Sequence, residues 1–340
     1  NNKSFTFNYL KKDDFLIENK KVENLSCLNV EEVDYSKSNL GSYLAGIIEG
    51  EGTFAVHNKL STSKKYYPMI IIVFKKSDLV LAKYLQHLTN CGNIYNKPER
   101  GYILWQIQDI KGIFTIVNLI NGFMRTPKIE ALKRTIDWLN YYIDINHNSN
   151  LPSTKAILKY IYNTEFKPLD ESPITTNPWL AGFSDADANF SINIHKRTNK
   201  NSSRVQLFYR LEIRQTYHRL DKANSYEPAK YFSIMSELAN YLGVSLYSRK
   251  RILNTKEFFS YIVVTHNKNS LLKINTYFEK FPLLSSKYLD YKDWLFILNK
   301  QQENNLTNSY LNEALRIRSD FNKTRTTYNW DHLKNNYLKY

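Results

Sequence analysis

Two copies of one nine-residue pattern constrain this chain more than any other feature. The first is Leu44-Ala45-Gly46-Ile47-Ile48-Glu49-Gly50-Glu51-Gly52, the second Leu180-Ala181-Gly182-Phe183-Ser184-Asp185-Ala186-Asp187-Ala188. Each is apolar and rich in small residues, then turns abruptly acidic. Each runs into a strand-like stretch, Thr53-Phe54-Ala55-Val56-His57 or Asn189-Phe190-Ser191-Ile192-Asn193-Ile194. A repeat this long is a tandem domain duplication and not a solenoid.

The apolar part of each copy reads as a helix. Gly46 and Gly50 lie four apart, as do Gly182 and Ala186, and residues so spaced line one helix face. Two such smooth stripes let backbones pack closely, so these helices are expected to form the interface between the halves; ordinary buried helices are the alternative. The acids Glu49, Glu51, Asp185 and Asp187 fall at helix C-termini, where the macrodipole disfavours carboxylates. Side by side they would also repel each other. A hard divalent cation relieves both problems, and oxygen ligands without Cys or His suit Mg²⁺ or Ca²⁺. For the inner acids Glu49 and Asp185, solvent-exposed helix ends are the competing reading.

A chain of 340 residues suits two domains of roughly 150 residues each. The apolar fraction of 42% includes 26 Tyr and 18 Phe, enough aromatic area for two sizeable cores. The formal charge of +15 and pI near 9.4 favour a polyanionic partner, nucleic acid before an anionic membrane surface. A basic but inert protein is the remaining possibility. Carboxylates beside a basic, nucleic-acid-sized surface point to metal-assisted phosphodiester hydrolysis. Cys27 and Cys91 form no CxxC or Cys/His cluster, so neither a zinc finger nor a disulfide framework is expected, and a reduced compartment is. No membrane span or secretory signal is expected. The start Asn1-Asn2 lacks Met, as in a trimmed, processed or excised piece. Abundant Asn, Lys, Tyr, Ile and Leu with scarce Gly and Pro fit an AT-rich, organellar gene.

In chain order, residues 1–37 read as a leader that wraps or tethers. Ser38-Asn39-Leu40-Gly41-Ser42 offers N-cap chemistry for a helix at about 43–49. Strands are expected at about 53–58 and 66–75, joined by a loop at 59–65. A helix at 78–88 follows, capped by Ser77. A hairpin pairs 93–95 with 102–108, and helices cover 110–120 and 128–142. The second half repeats the order: helix 180–184, strands 189–195 and 204–215, helix 229–242, strands 245–249 and 258–265, helix 268–278. Even the ends correspond, Lys128 opening one closing helix and Lys287 the other. The domain expectation is thus a leader at 1–37, a first repeat at 38–146, a linker at 147–177 with a short helix at 154–162, a second repeat at 178–299, and a basic tail at 300–340. The tail holds a helix at 310–318. It either packs on the second repeat or adds nucleic-acid contact.

The duplicated motif with its matching strands, over about residues 40–299, resembles the LAGLIDADG homing endonucleases and related group I intron maturases in their monomeric, two-repeat form. The resemblance implies an α+β fold of two pseudo-symmetric αββαββα repeats whose saddle-shaped antiparallel sheets lie along the DNA major groove. It implies a catalytic, metal-binding acid at Glu51 and another at Asp187, with Gly50 and Ala186 beside them in the metal site. Mg²⁺ is the implied metal, with Ca²⁺ or Mn²⁺ able to take its place. Ala188 replaces the closing Gly of the second motif, and Gly permits backbone conformations Ala resists. Basic or amide residues near the metals are expected at Lys75 and Gln215, which end the second strand of each repeat. Gln215 puts a polar group on an apolar face, where a metal-bound water or bulk solvent would serve it. Lys128 and Lys287 match lysines that steady the phosphate or water; plain helix-start lysines are the alternative.

On such sheets, candidate DNA contacts are His57, Lys59, Lys64, Lys65, Gln106, Gln108, Asn193, His195, Lys196, Arg197, Arg204, Gln206, Arg210, Arg249, Lys250 and Arg251. Tyr66, Tyr67, Tyr209 and Tyr247 pack beside the groove or fill the core. The resemblance therefore implies an intron-encoded, site-specific, Mg²⁺-dependent endonuclease. As a monomer in the mitochondrion, it would cut both strands of a long asymmetric duplex and leave 3′ overhangs. Two rivals stand: a maturase acting on group I intron RNA, alone or in addition, and a catalytically inactive DNA-binding regulator supported by Ala188.

Overall fold

The computed structural model describes residues 35–56, 67–196, 203–217, 231–253, 256–303 and 307–339. The first repeat opens with α1 (Tyr35–Glu51), followed by β1 (Gly52–Ala55), β2 (Met69–Lys75), α2 (Leu79–Thr89), β3 (Asn93–Lys97), β4 (Tyr102–Ile107), α3 (Ile110–Ile120) and α4 (Ile129–Asn146). A short α5 (Pro152–Leu158) lies in the connection. The second repeat runs α6 (Trp179–Asp187), β5 (Ala188–Lys196), β6 (Ser203–Arg214), α7 (Phe232–Leu242), β7 (Leu246–Leu253), β8 (Lys256–Thr265), α8 (Lys268–Lys280) and α9 (Lys287–Gln302); α10 (Asn308–Ser319) follows. Among the described residues there are two antiparallel sheets, ordered β1-β2-β4-β3 and β5-β6-β8-β7. This is the expected α+β duplication.

Strand alternation sets the layers. In β2, Ile70, Ile72 and Phe74 are buried beneath the helices with Ile103, Trp105 and Ile107 of β4. In β6, Leu207, Tyr209, Leu211 and Ile213 do the same. Among the described residues, those on the other face of each sheet are exposed or half-buried. Equivalent caps start α3 and α8: the Asp109 carboxylate accepts from Gly112 N (2.6 Å) and the Asn267 amide oxygen from Ser270 N (2.9 Å). Side-chain acceptors there satisfy N–H groups the helix leaves unpaired.

Several boundaries differ from expectation. α1 begins at Tyr35, so Ser38 to Ser42 are inside the helix and cap nothing. The Ser42 hydroxyl donates back to Ser38 O (2.9 Å), the local alternative that makes Ser ambiguous between cap and interior. Ser77 does not cap α2; it sits in a 3₁₀ turn (Lys76–Asp78) that leads into it. The connecting helix spans Pro152–Leu158 rather than 154–162, with Pro152 at its favoured first turn. Tyr209 is core, whereas Tyr67 and Tyr247 are exposed. His57, Lys59, Lys64, Lys65, Tyr66 and Arg197 lie outside the described residues, as does the leader through residue 34.

The tail packs on both repeats, not on the second alone. Tyr310, Ala314, Ile317, Phe321, Leu333 and Leu338 are buried. Arg325 Nε donates to Asp290 Oδ1 of α9 (2.9 Å). Asn336 Nδ2 donates to Tyr84 OH of α2 (2.8 Å), and Asn39 Nδ2 of α1 to Tyr337 O (3.2 Å). Truncating the fully buried Leu338 to Ala should therefore cost about 3 kcal/mol, read as a lowered urea midpoint of the whole chain.

Candidate metal centre between two helix ends

α1 and α6 cross with their backbones in contact. A Cβ added to Gly46 would meet Trp179 O at 2.2 Å and Phe183 N at 2.6 Å, and one added to Gly182 would meet Tyr43 O at 2.1 Å. At Gly50 it would strike the Ala186 Cβ at 2.3 Å. Ala186 already fills the space between the two helix ends, so Gly50 must leave it open. The small-residue stripes thus form the central interface, as their spacing predicts.

The inner acids are neither solvent-exposed nor placed to bind metal. Glu49 is completely buried and Asp185 nearly so. Glu49 accepts from Arg125 N (3.0 and 3.1 Å), Thr126 N (2.6 Å) and the Trp179 indole Nε1 (2.5 Å). Asp185 accepts from Leu284 N (2.7 Å), the Ser285 hydroxyl (2.5 Å) and the Tyr43 hydroxyl (2.8 Å). Each acid pins the turn that precedes its own repeat's closing helix, and each takes one donor from the opposite repeat. Burial raises both carboxyls, Asp185 to about 6; the bonds from Ser285, Leu284 and Tyr43 then pull Asp185 down in part. Replacing Trp179 with Phe removes one donor from a buried carboxylate and should cost about 2 kcal/mol, measurable by urea denaturation.

Lys128 and Lys287 are also buried. Lys128 Nζ donates to Ile48 O (2.9 Å), Gly50 O (3.4 Å) and Gly52 O (2.8 Å) at the end of α1. Lys287 Nζ donates to Ser184 O and Ala186 O (2.9 Å each) at the end of α6. They are cationic caps on the last carbonyls, opposing the negative helix end, and not surface lysines. Burial lowers both to about 8, against the pull of Glu49 on Lys128 and, for Lys287, of the acids Asp185 and Asp187.

The outer acids differ from the inner ones. Glu51 is exposed and Asp187 half-buried. The position a Cβ would take on Gly50 is 3.0 Å from Asp187 Oδ2, so the second acid lies against the end of the first helix. Burial and then the Glu51 charge raise Asp187 to about 6, the mutual repulsion expected of carboxylates at adjoining helix ends. Among the described residues no group of three or more His, Cys, Asp or Glu side chains is arranged to hold a metal ion. A cation here would draw on two carboxylates, with waters and substrate oxygens completing its shell. That donor set fits Mg²⁺, which keeps waters and binds through one or two carboxylates plus phosphate. The carbonyls of Gly50 and Ala186 already accept from Lys128 and Lys287, which leaves each one further lone pair. Ala188 is extended (φ −78°, ψ 159°), a conformation any residue adopts. Its methyl imposes no strain on the second acid, which removes the one argument for an inactive site.

Gln215 has a partner within its own sheet. Its Nε2 donates to the Ser248 hydroxyl (2.7 Å) in the sheet, which supplies the partner its position demanded. Strand pairing gives Arg214 the place equivalent to Lys75. Gly52 faces Ile72 and Ala188 faces Leu211, so Lys75 corresponds to Arg214. Arg214 acts electrostatically on Asp187 and Lys128, and Lys75 on Lys287. The clue in the sequence was the polar alternation through Arg210, Glu212 and Arg214. Lys75, Glu51 and Asp78 line one crevice beside Ala186.

The two open sheet faces differ. That of the first sheet carries Met69, Ile71, Val73 and Leu104, with Gln106 hydrogen-bonded to Gln108 (2.9 Å) at its end. That of the second carries Asn193, His195, Arg204, Gln206, Arg210, Arg249 and Arg251. Lys196 ends β5. Lys250 falls on the other side of β7 and pairs with Glu257 (2.5 Å).

A family model described as "LAGLIDADG endonuclease" matches residues 44–139 and 180–298. The chain is 45% identical over 323 residues to "Intron-encoded DNA endonuclease aI3" of Saccharomyces cerevisiae, covering 91% of this chain and 75% of that one. Its fold resembles the LAGLIDADG homing endonuclease I-GzeII in complex with its DNA target (TM-score 0.56, 19% identity, 84% of this chain and 99% of that one). It also resembles I-SmaMI bound to uncleaved DNA in the presence of calcium ions (TM-score 0.55, 20% identity, 83% and 99%).

Proposed function

The chain belongs to the LAGLIDADG endonuclease family, and from that premise we propose that it is a homing endonuclease, encoded in an intron, that hydrolyses both strands of a long asymmetric DNA site with Mg²⁺. One observation carries the reading: Glu51 and Asp187, one from each repeat, act on each other electrostatically where two helices touch backbone to backbone. A single chain thereby supplies both acids, so a monomer suffices. The calcium seen with a structural neighbour supports divalent-metal use. The intron-encoded relative and the AT-rich composition support a mitochondrial gene.

Glu51 and Asp187 would hold a divalent cation, which would supply Lewis acidity at the scissile phosphates. This chain's own groups do the rest. Lys128 and Lys287 fix the helix ends and thereby the acids, acting by positioning. Lys75 and Arg214 bring fixed positive charge beside them, where a phosphate gains negative charge during displacement. The open sheet faces hold the duplex, the second through Arg, Asn, His and Gln side chains suited to base edges and phosphates.

The test is incubation of the chain with duplex spanning the uninterrupted insertion site. We expect double-strand cutting with 3′ overhangs in Mg²⁺ and none in EDTA. Intact duplex in Mg²⁺ and in Mn²⁺ would overturn the reading, and precursor RNA spliced by the same preparation would point to a maturase. Changing Arg214 to Gln should slow single-turnover cleavage by about a hundredfold while target affinity changes little.

A further inference from the structure

Glu212 is the one acid on the open face of β6, and it stands among arginines. Arg251 donates to its Oε1 at 2.6 Å and the Ser260 hydroxyl at 2.7 Å. Arg210 pairs with its Oε2, and Arg249 approaches that oxygen at 3.7 Å. The partners come from three neighbouring strands, β6, β7 and β8. The Glu212 side chain is 20% exposed, while those of Arg210, Arg249 and Arg251 are 37%, 44% and 51% exposed. The guanidiniums therefore reach solvent and the carboxylate sits at their base. Burial alone would raise its carboxyl; Ser260 and the arginines outweigh it and hold Glu212 below the usual range.

A carboxylate on a DNA-facing sheet is costly if its only effect is to repel phosphate. Its value lies in geometry. A guanidinium has five N–H donors in a fixed fork. With one edge bound to Glu212, the other edge is held for an acceptor such as the O6/N7 pair of guanine. Fixing these side chains before DNA arrives removes ordering cost from specific binding. The negative charge at the centre also lessens the pull of the three arginines on any passing phosphate.

We propose that Glu212 is a specificity-determining positioning residue: it presents Arg210, Arg249 and Arg251 to base edges and suppresses sequence-independent binding. This rests on the DNA-binding reading above. The experiment compares the full chain with its Glu212→Gln and Glu212→Asp variants. Each binds target duplex and a scrambled duplex of equal length, without metal, across a salt series. Glu212→Gln should bind the scrambled duplex about tenfold more tightly and steepen its salt dependence by about one counterion, and the preference for target should fall about tenfold. Glu212→Asp keeps the charge and should keep the shallow salt dependence on scrambled DNA. Equal change of both affinities, or an unchanged salt slope, overturns the proposal. Should Glu212→Gln not fold, Glu212→Asp decides, since a steepened slope with charge retained also overturns it. A wild-type chain that cannot tell target from scrambled DNA overturns the functional reading itself.

Discussion

Changing Asp187 to Asn, or Glu51 to Gln, should reduce cleavage of the target duplex at least about a thousandfold, some 4 kcal/mol of transition-state stabilisation. Affinity for the target should stay within about threefold, because duplex binding draws on a whole sheet surface and not on two carboxylates. Single-turnover cleavage and equilibrium binding, measured on one preparation, separate the two quantities. Both substitutions are nearly isosteric. Glu51 is exposed, and Asp187 is already raised to about 6 by burial and by its neighbour. Removing either charge relieves repulsion, so the folded state should be unharmed or slightly stabilised. A variant that instead melts early would mark these acids as structural. Glu49 and Asp185 are the contrast: each carboxylate accepts from two donors in a turn and one on the opposite repeat's helix, and their loss should be felt as stability.

Gly182→Ala should destabilise the protein by about 3 kcal/mol or more, and Gly46→Ala by a similar amount. The added methyl has no side chain to push aside. It meets the carbonyl oxygen of Tyr43 at 2.1 Å, and at Gly46 that of Trp179 at 2.2 Å. Both atoms belong to the facing helix, so the helices themselves must separate. Separation moves Glu51 relative to Asp187, and cleavage should fall in the molecules that remain folded. The urea midpoint reports the first effect, and the cleavage rate at a temperature where the variant is fully folded reports the second.

Some of this was legible from residues alone because the cause is local. α3 was readable through residues 110–120: Asp109 supplies a cap and the apolar period carries the rest. The helix crossing was readable because Gly46, Gly50, Gly182 and Ala186 have no other shared purpose. The inner acids were not, since their donors (Arg125, Thr126, Leu284 and Ser285) are remote in sequence and become partners only when the closing helices dock. Gln215 was assigned because it ended an expected strand one residue too long. The pairing of Ala188 with Leu211 moves the equivalence to Arg214. The open face of β2 was hidden for another reason. Met69 to Phe74 is apolar throughout, so alternation could not say which side faces the helices.

Tyr43 and Trp179 occupy matching positions in the two repeats, yet each serves the other repeat's acid. The phenol reaches an aspartate and the indole a glutamate. After a gene duplicates, its halves are usually free to drift apart. Here a change in the length of one acid must be answered in the opposite half. Among descendants of this gene, positions 43 and 185 should therefore co-vary, as should 179 and 49, while each half's own pairs show weaker coupling. The duplication is heritable as a matched set, and a graft that exchanges one half for a relative's should function only when the donor and acid arrive in compatible lengths.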